Sequence, residues 1–288
     1  MGENLEILAD ISSHLSSRLI LIATMHGKEK VIGPLLENGS GIRTGLIEGL
    51  DTDKFGTFSG EIPRKDSPVE TLRKKIEAAR EVSGHPVIVG SEGSFGSHPA
   101  MFMLPANEEW VMLRDFERGL EIIGRHLTEE TNFGGEALSS LEELDSFCER
   151  SGFPSHSIIL KLGESEGKIL KDLNKEELYT ITEDALKKGI IVKAETDMRA
   201  DRNPTRLRSI GKATANLIER LKSVCPECQL PGYWITKVIP GLPCKLCGSP
   251  TNSIKSYVYS CRSCSHEDTI PNPGKKVEEP LYCDFCNP

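Results

Sequence analysis

Residues Pro86–Pro99 read PVIVGSEGSFGSHP, an uncharged apolar run that gives way abruptly to glycine, serine, a carboxylate and an imidazole. Pro86–Val89 predicts a short strand buried on both faces, as in a parallel or mixed sheet. From Gly90 on, glycines at 90, 93 and 96 let backbone approach a ligand closely, with Glu92, Ser94 and His98 beside it. Ligands of open α/β sheets sit where strands end and such loops begin. Gly90–Pro99 is therefore a candidate binding loop, with Glu92 as a candidate catalytic acid. A surface turn whose glycines only satisfy positive φ is the plainer alternative.

The flanking sequence extends the α/β pattern. Upstream, Ser67-Pro68-Val69-Glu70 is a capping box with proline at the first helical position, and Leu72, Ile76 and Ala79 form a buried stripe before Gly84. Arg73, Lys74 and Lys75 lie near the start of that helix, and one lysine could reach the Glu92 loop. Earlier still, Arg18–Thr24 (RLILIAT) predicts an apolar strand, preceded by an amphipathic helix over 3–17 with Leu5, Leu8, Ile11 and Leu15 on one stripe. Thr24, His26, Lys28 and Glu29 follow the strand. A helix from about Lys28 to Glu37, containing Pro34 and ended by Asn38-Gly39, comes next. At a strand exit, Lys28 and Glu29 suit a phosphate as well as they suit a solvated helix start. Between these elements, Asp51 and Asp53 alternate with hydroxyl residues ahead of Glu61 and Arg64, a pattern that could hold Mg2+ through oxygen or simply form an Asx-turn.

Downstream, Trp110–Phe116 and Leu120–Leu127 predict a hairpin turning at Glu117-Arg118-Gly119. Ser140 caps a helix to about Arg150, with Cys148 on its apolar side as a buried filler. Gly152-Phe153-Pro154-Ser155-His156 leads to a strand at Ser157–Leu162. Asn174-Lys175-Glu176-Glu177 caps a helix stopping at Gly189, and a strand Ile190–Ala194 opens into a loop bearing Glu195, Asp197, Arg199 and Arg202. Asn203-Pro204 starts a helix with Leu207, Ile210, Leu217 and Leu221 toward the core. From Arg199 to Lys212, five basic residues (Arg199, Arg202, Arg206, Arg208 and Lys212) face one acid, Asp201. They gather at a helix N-terminus, which favours anions. Arg199, Arg202 and Arg206 are thus candidate phosphate ligands beside Glu195 and Asp197, a solvated basic helix face being the alternative.

Beyond residue 224 the chain carries eight of its nine cysteines in four C-x-x-C pairs: Cys225/Cys228, Cys244/Cys247, Cys261/Cys264 and Cys283/Cys286. Two thiolates three residues apart present both sulfurs to one tetrahedral ion, so four pairs make two structural four-cysteine zinc sites rather than redox dithiols. The intervening gaps of 15, 13 and 18 residues are ribbon-sized. The favoured pairing is nested, inner pairs on one zinc and outer pairs on the other, and Leu242–His266 alone resembles a compact zinc ribbon. Consecutive pairing is the alternative.

The expected fold is therefore α/β, a mixed sheet with flanking helices over residues 1–222, plus a small C-terminal double zinc-ribbon domain over 223–288. The formal charge of −8 gives no global attraction to nucleic acid or anionic membranes. The tail's six basic and six acidic residues cancel, so nucleic acid is not favoured there either. No run of about 18 apolar residues and no basic-then-apolar N-terminus is present, which sets a cytoplasmic expectation. Walker, HExxH, dinucleotide and nucleophile-elbow motifs are lacking; Gly163–Lys168 only approaches the first.

Taken together, ATMHGKE, DTDKFGTFSGE, SEGSFGSHP, GFPSH, ETDMRADRNPTR and the stretch from CPEC to CDFCNP resemble an uncharacterised bacterial family of unknown function with a cysteine-rich tail. A second resemblance rests on Thr24 through Lys28 and Glu29, then Glu70-Thr71 with Lys75, then Gly84, Pro86 and Glu92-Gly93. These follow the order seen in house-cleaning inosine/xanthosine triphosphate pyrophosphatases. That resemblance implies Lys28 and Lys75 on phosphates, and Glu29 and Glu92 serving Mg2+ or the attacking water. Met25-His26 stands where that family has asparagine, and the cysteine tail is foreign to it. Two functions follow as expectations. One is a metal-dependent hydrolase of a nucleotide or other phosphorylated molecule, using Asp51, Asp53, Glu92, Glu195 and Asp197 as acids. The other is a non-enzymatic zinc-ribbon protein that binds a partner or nucleic acid and senses a ligand through its α/β domain.

Overall fold

The structure, a computed structural model, describes residue 15 and residues 18–40, 42–47, 49–50, 66–164 and 167–288. The helix expected over 3–17 lies outside these residues except at Leu15, and the Asp51, Asp53, Glu61 and Arg64 readings lie outside them entirely.

In chain order the first elements are β1 (Leu19–Ala23), α1 (Glu29–Ser40), β2 (Arg43–Leu46), α2 (Pro68–Ser83), β3 (Val87–Ser97), β4 (Pro105–Asp115) and β5 (Leu120–Thr128). Next come β6 (Gly135–Leu138), α3 (Leu141–Ser151), β7 (Ile158–Leu162), β8 (Lys168–Leu170), α4 (Lys175–Lys187) and β9 (Val192–Thr196). The remainder is α5 (Pro204–Lys222), β10 (Trp234–Pro240), β11 (Ile254–Ser260) and β12 (Glu267–Pro271).

A five-stranded sheet of order β2-β1-β3-β4-β5 organises the first part. β1 runs parallel to β2 and β3, whereas β4 is antiparallel to both of its neighbours, β3 and β5, so the sheet is mixed. Strand alternation sends Val87, Val89, Val111 and Leu113 to one face, where they pack with Ile32 and Leu36 of α1 and Ile210, Leu217 and Leu221 of α5. Ile88, Met112 and Trp110 take the other face, against Leu72, Ile76 and Ala79 of α2. Each such buried side chain contributes about 2 kcal/mol of apolar transfer, and both faces must be covered for the sheet to persist. Half of the capping box expected for α2 is present: the Ser67 side chain accepts from the Glu70 N–H and Gly84 closes the helix in the left-handed region, while the Glu70 carboxylate pairs with Arg73.

Three strands differ in extent from expectation, and each difference matters for the site. β3 continues past Val89 to Ser97, because β4 supplies an unbroken antiparallel partner for all eleven residues. Glu92 is accordingly inside a strand and not on an exit loop. β9 begins at Val192 and includes Glu195, which pairs across to Gly135 and Ile159. The hairpin turn at Glu117-Arg118-Gly119 and the Ser140 and Asn174 caps appear as expected, but β4 begins at Pro105 and not at Trp110, paired throughout with β3, and so takes in Asn107 and Glu109.

β6, β9, β7 and β8 form a separate antiparallel sheet backed by α3 and α4, with Leu144, Phe147, Cys148 and Leu178 in its core. The tail adds a three-stranded antiparallel sheet, β10-β11-β12, and carries the cysteine clusters. The molecule is thus mixed α/β with a small C-terminal metal-binding unit. Among the described residues no helix is long and apolar enough to cross a membrane.

Candidate functional site

β1 stops alongside β3 at the Ala23–Gly90 pair, while β3 runs on for seven more residues. At that step the chain leaves β1 through Thr24–Lys28, with His26 and Gly27 at positive φ (63° and 74°), and enters α1. Lys28 is thereby placed at the β1 end of the sheet, almost fully buried, and among the described residues its ammonium has no ion pair or side-chain hydrogen bond. Its pKa falls to about 7. Burial is the main cause and repulsion by Arg206 and Lys75 adds to it, with Glu92 and Glu109 pulling the other way.

The two faces of β3 and β4 supply those neighbours. Toward α2, Glu92 is buried and its Oε2 accepts from Lys75 Nζ at 2.5 Å. Toward α5, Gly93 lies opposite Glu109, whose Oε1 accepts from Arg206 Nε at 2.8 Å; both side chains are essentially sealed from solvent. Arg206 also donates to the Met198 carbonyl, and its guanidinium carbon lies 5.3 Å from the centre of the Phe95 ring. Asn203 holds the start of α5, its Oδ1 accepting from Arg206 N–H at 3.0 Å and its Nδ2 donating to the Asp197 carbonyl at 3.1 Å. On the Glu109 face, Ser91 Oγ, both amide atoms of Asn107 and Glu109 Oε2 are buried without a hydrogen-bond partner among the described residues. Such groups are rare unless a ligand, ion or water answers them.

Of the residues picked from sequence, Thr24, His26, Lys28, Lys75, Glu92 and Arg206 gather around this step in the sheet. His26 Nδ1 comes within 4.0 Å of Asp201, and Thr24 Oγ1 donates to the Met25 carbonyl at 3.1 Å. The others are placed elsewhere or otherwise engaged. Asp197 is clamped by Arg199, which also reaches Asp172 at 2.9 Å, and Arg202 pairs with the same Asp172 at 2.8 Å. Glu195 lies between Lys161 and Lys193 at 2.8 and 2.6 Å. Burial raises its pKa, but these two lysines outweigh that and leave it below the usual carboxylate range. Ser94 is half-buried further along β3. His98 follows the strand, roughly 20 Å beyond Glu92 at about 3.3 Å per residue, and accepts from the Ala100 and Met101 amides.

Glu109, Asn107 and Ser91 escaped the sequence reading. The signal was present in β4: Asn107 and Glu109 are in phase with Val111 and Leu113, two polar residues on a face otherwise committed to the core. Arg206 shows the same signature, one helical turn before Ile210 on the buried side of α5.

In the tail the cysteines gather as Cys225, Cys228, Cys261 and Cys264, and as Cys244, Cys247, Cys283 and Cys286, each set with its sulfurs within 4.8 Å of one another. The pairing is therefore interleaved, first pair with third and second with fourth. This corrects both the nested and the consecutive expectations, and Leu242–His266 is not a self-contained ribbon. The cause is β10-β11-β12: the strands bring the segments around Cys225 and Cys261 to one end of the small sheet, and the Cys244–Glu278 bridge brings the others together. Sγ–Sγ distances of 3.6, 3.6, 3.9 and 3.7 Å between partners are far from a disulfide. They match the edge of a tetrahedron with metal–sulfur bonds of about 2.3 Å, which is about 3.8 Å. Leu246 and Ser263 amides donate to Cys244 and Cys261 sulfurs at 3.4 Å, as suits thiolates.

Comparison with curated proteins gave no match. A family model described as Domain of unknown function (DUF6671) matches residues 75–288, a span that begins at Lys75 and takes in Glu92, Glu109, Arg206 and all eight clustered cysteines. With most of its length inside that span, the chain belongs to the DUF6671 family.

Proposed function

We propose that the step beside β1 binds a phosphorylated small molecule of the nucleotide class and hydrolyses it. One observation carries this: among the described residues, three cationic side chains (Lys28, Lys75 and Arg206) and two carboxylates (Glu92 and Glu109) are buried together, a formal excess of one positive charge. Burying charge is costly, and a fold gains nothing by leaving an ammonium unmatched. An arriving phosphate supplies the missing anion, and its charge returns Lys28 to the ammonium form.

Among the described residues, Glu109 Oε2 is a buried acceptor that meets no hydrogen-bond donor. It suits a water whose oxygen bonds phosphorus as the bridging P–O bond breaks toward the leaving group, the water's proton passing to Glu109. Lys28 and Arg206 face charge that grows on the phosphoryl oxygens. Mg2+, entering with the phosphates it chelates, would add Lewis-acid stabilisation. The motifs around Lys28, Lys75 and Glu92 that resemble nucleoside triphosphate pyrophosphatases make the phosphoanhydride the first bond to test. In the tail, the four-thiol sets and their spacing support two structural zinc ions.

The test is a panel of nucleoside triphosphates with Mg2+, scored for phosphate and pyrophosphate release. Turnover by the native protein that falls by about two orders of magnitude in Glu109→Gln supports the hydrolase. Tight calorimetric binding without turnover supports the second function, a ligand-sensing protein. That alternative draws on exposed Leu246, Leu281, Tyr282 and Phe285 around the Cys244 cluster, which suit a docking surface. Neither binding nor turnover would remove both.

A further inference from the structure

Between β5, the start of α2 and the first strands of the tail lies a cleft of about 350 Å³, lined by none of Lys28, Lys75, Glu92, Glu109 and Arg206. Both tryptophans of the chain, Trp110 and Trp234, line it. So do Arg125, Arg220 and Arg262, against one carboxylate, Glu121. That carboxylate is already gripped by Arg73 through two bonds of 2.9 and 2.7 Å, with Arg114 and Arg262 at 3.7 and 3.6 Å. Arg125 is paired with Glu108, so among the described residues the surplus cation of the cleft rests on Arg220, with Arg262 sharing Glu121.

Arg220 shows the surplus most clearly. Its guanidinium carbon lies 5.2 Å from the centre of the Trp234 ring, so one face of the group is fixed by the indole. Its Nε is buried and meets no acceptor among the described residues. Burial, Arg125 and Arg262, in that order, push its pKa below the ordinary arginine value. A planar fork held in place beside an aromatic wall, with a donor unanswered, is built to meet an oxyanion.

We propose that this cleft is a second ligand site, independent of the hydrolase proposal, for a small organic anion bearing a flat ring, of the mononucleotide class. The indoles and Ile122 give the ring an apolar bed, and Arg220 and Arg262 take the phosphate. The volume is near the lower end of small-molecule pockets, enough for one nucleotide and too small for a duplex. Sites of this kind recur where two structural units meet.

Because both indoles line the cleft, intrinsic fluorescence of the full-length protein reports on it directly. Titration with adenosine 5′-monophosphate should give saturable quenching, at least about tenfold tighter than adenosine or inorganic phosphate alone. Arg220→Met should weaken it about tenfold or more. Arg262→Met, at an exposed side chain that no core depends on, should do the same and stands in should Arg220→Met fail to fold. Lys28→Met should keep a saturable component that Arg220→Met and Arg262→Met lose, which separates this site from the β1 step even though Trp110 is paired across the sheet with Glu92. No saturable response to the nucleotide overturns the proposal. So does equal binding of phosphate alone, or a response lost in Lys28→Met and kept in both arginine variants.

Discussion

A Cβ atom on Gly93 would lie 2.5 Å from Glu109 Oε1 and 2.6 Å from its Oε2, so the bare backbone of one strand is what seats the carboxylate of the next. Glu109 cannot retreat without leaving Arg206, its partner at 2.8 Å in a sealed site. Gly93→Ala is expected to cost about 1–3 kcal/mol of stability and to remove turnover more completely than that loss explains. Urea denaturation beside an initial-rate assay checks both.

Gly124 answers a different need. A Cβ there would come within 2.3 Å of the Ala213 carbonyl oxygen and the Leu217 nitrogen, which are backbone atoms of α5 and cannot rotate away. Gly124→Ala should push α5 off β5 and destabilise the protein by about 3 kcal/mol or more. A lowered melting temperature, or loss of soluble protein, is the expected result; a native-like melt would show that α5 shifts freely.

Lys28 predicts a pH dependence with a definite sign. Its pKa is about 7 in the folded chain and near 10.5 when unfolded, so the unfolded state binds more protons between those values. The cost of the buried ammonium is fully present below pH 7 and is relieved as pH rises toward 10.5. Relative to Lys28→Met, the native protein should gain stability from pH 7 to pH 9, read as a shift in urea midpoint. Saturating phosphate should diminish that gain by holding Lys28 charged.

The interleaved clusters make a prediction that nested or consecutive pairing does not. Elemental analysis should find two zinc ions per chain. Cys225→Ser with Cys261→Ser should leave one, since both belong to the same set, whereas Cys225→Ser with Cys244→Ser should leave none. Under nested pairing the first of these variants would lose both ions.

Glu195 supplies a control. It is partly exposed and held by Lys161 and Lys193 on β9 and its neighbour. Glu195→Gln should cost no more than about 1 kcal/mol and leave phosphate release unchanged. A large loss of turnover would bring the β9 surface into the chemistry.

Much of the fold was legible because local signals agreed with the tertiary outcome: the Ser67, Ser140 and Asn174 caps, the apolar β1, and the hairpin turn at Gly119. The length of β3 was not. Ser91, Glu92 and Ser94 look like a loop in isolation, and only the backbone of β4 and the cations of α2 and α5 make a strand of them. The candidate site was half legible for a related reason. Lys28, Glu92 and Arg206 stand out as charges near breaks in pattern, while Glu109 hides within a strand, visible only through its phase with Val111 and Leu113. Cysteine connectivity is set by how β10 and β11 pair, which spacing does not encode.

The alternation of cysteine sets has a consequence for how the chain is made. As the tail emerges from the ribosome, Cys244 and Cys247 are available to Cys225 and Cys228 before their proper partners, Cys261 and Cys264, have been translated. Order of synthesis thus favours the wrong couple, and an early ion captured there would have to be released before the native set could close. Metal delivered during translation should trap more misassembled tail than metal supplied to the finished chain.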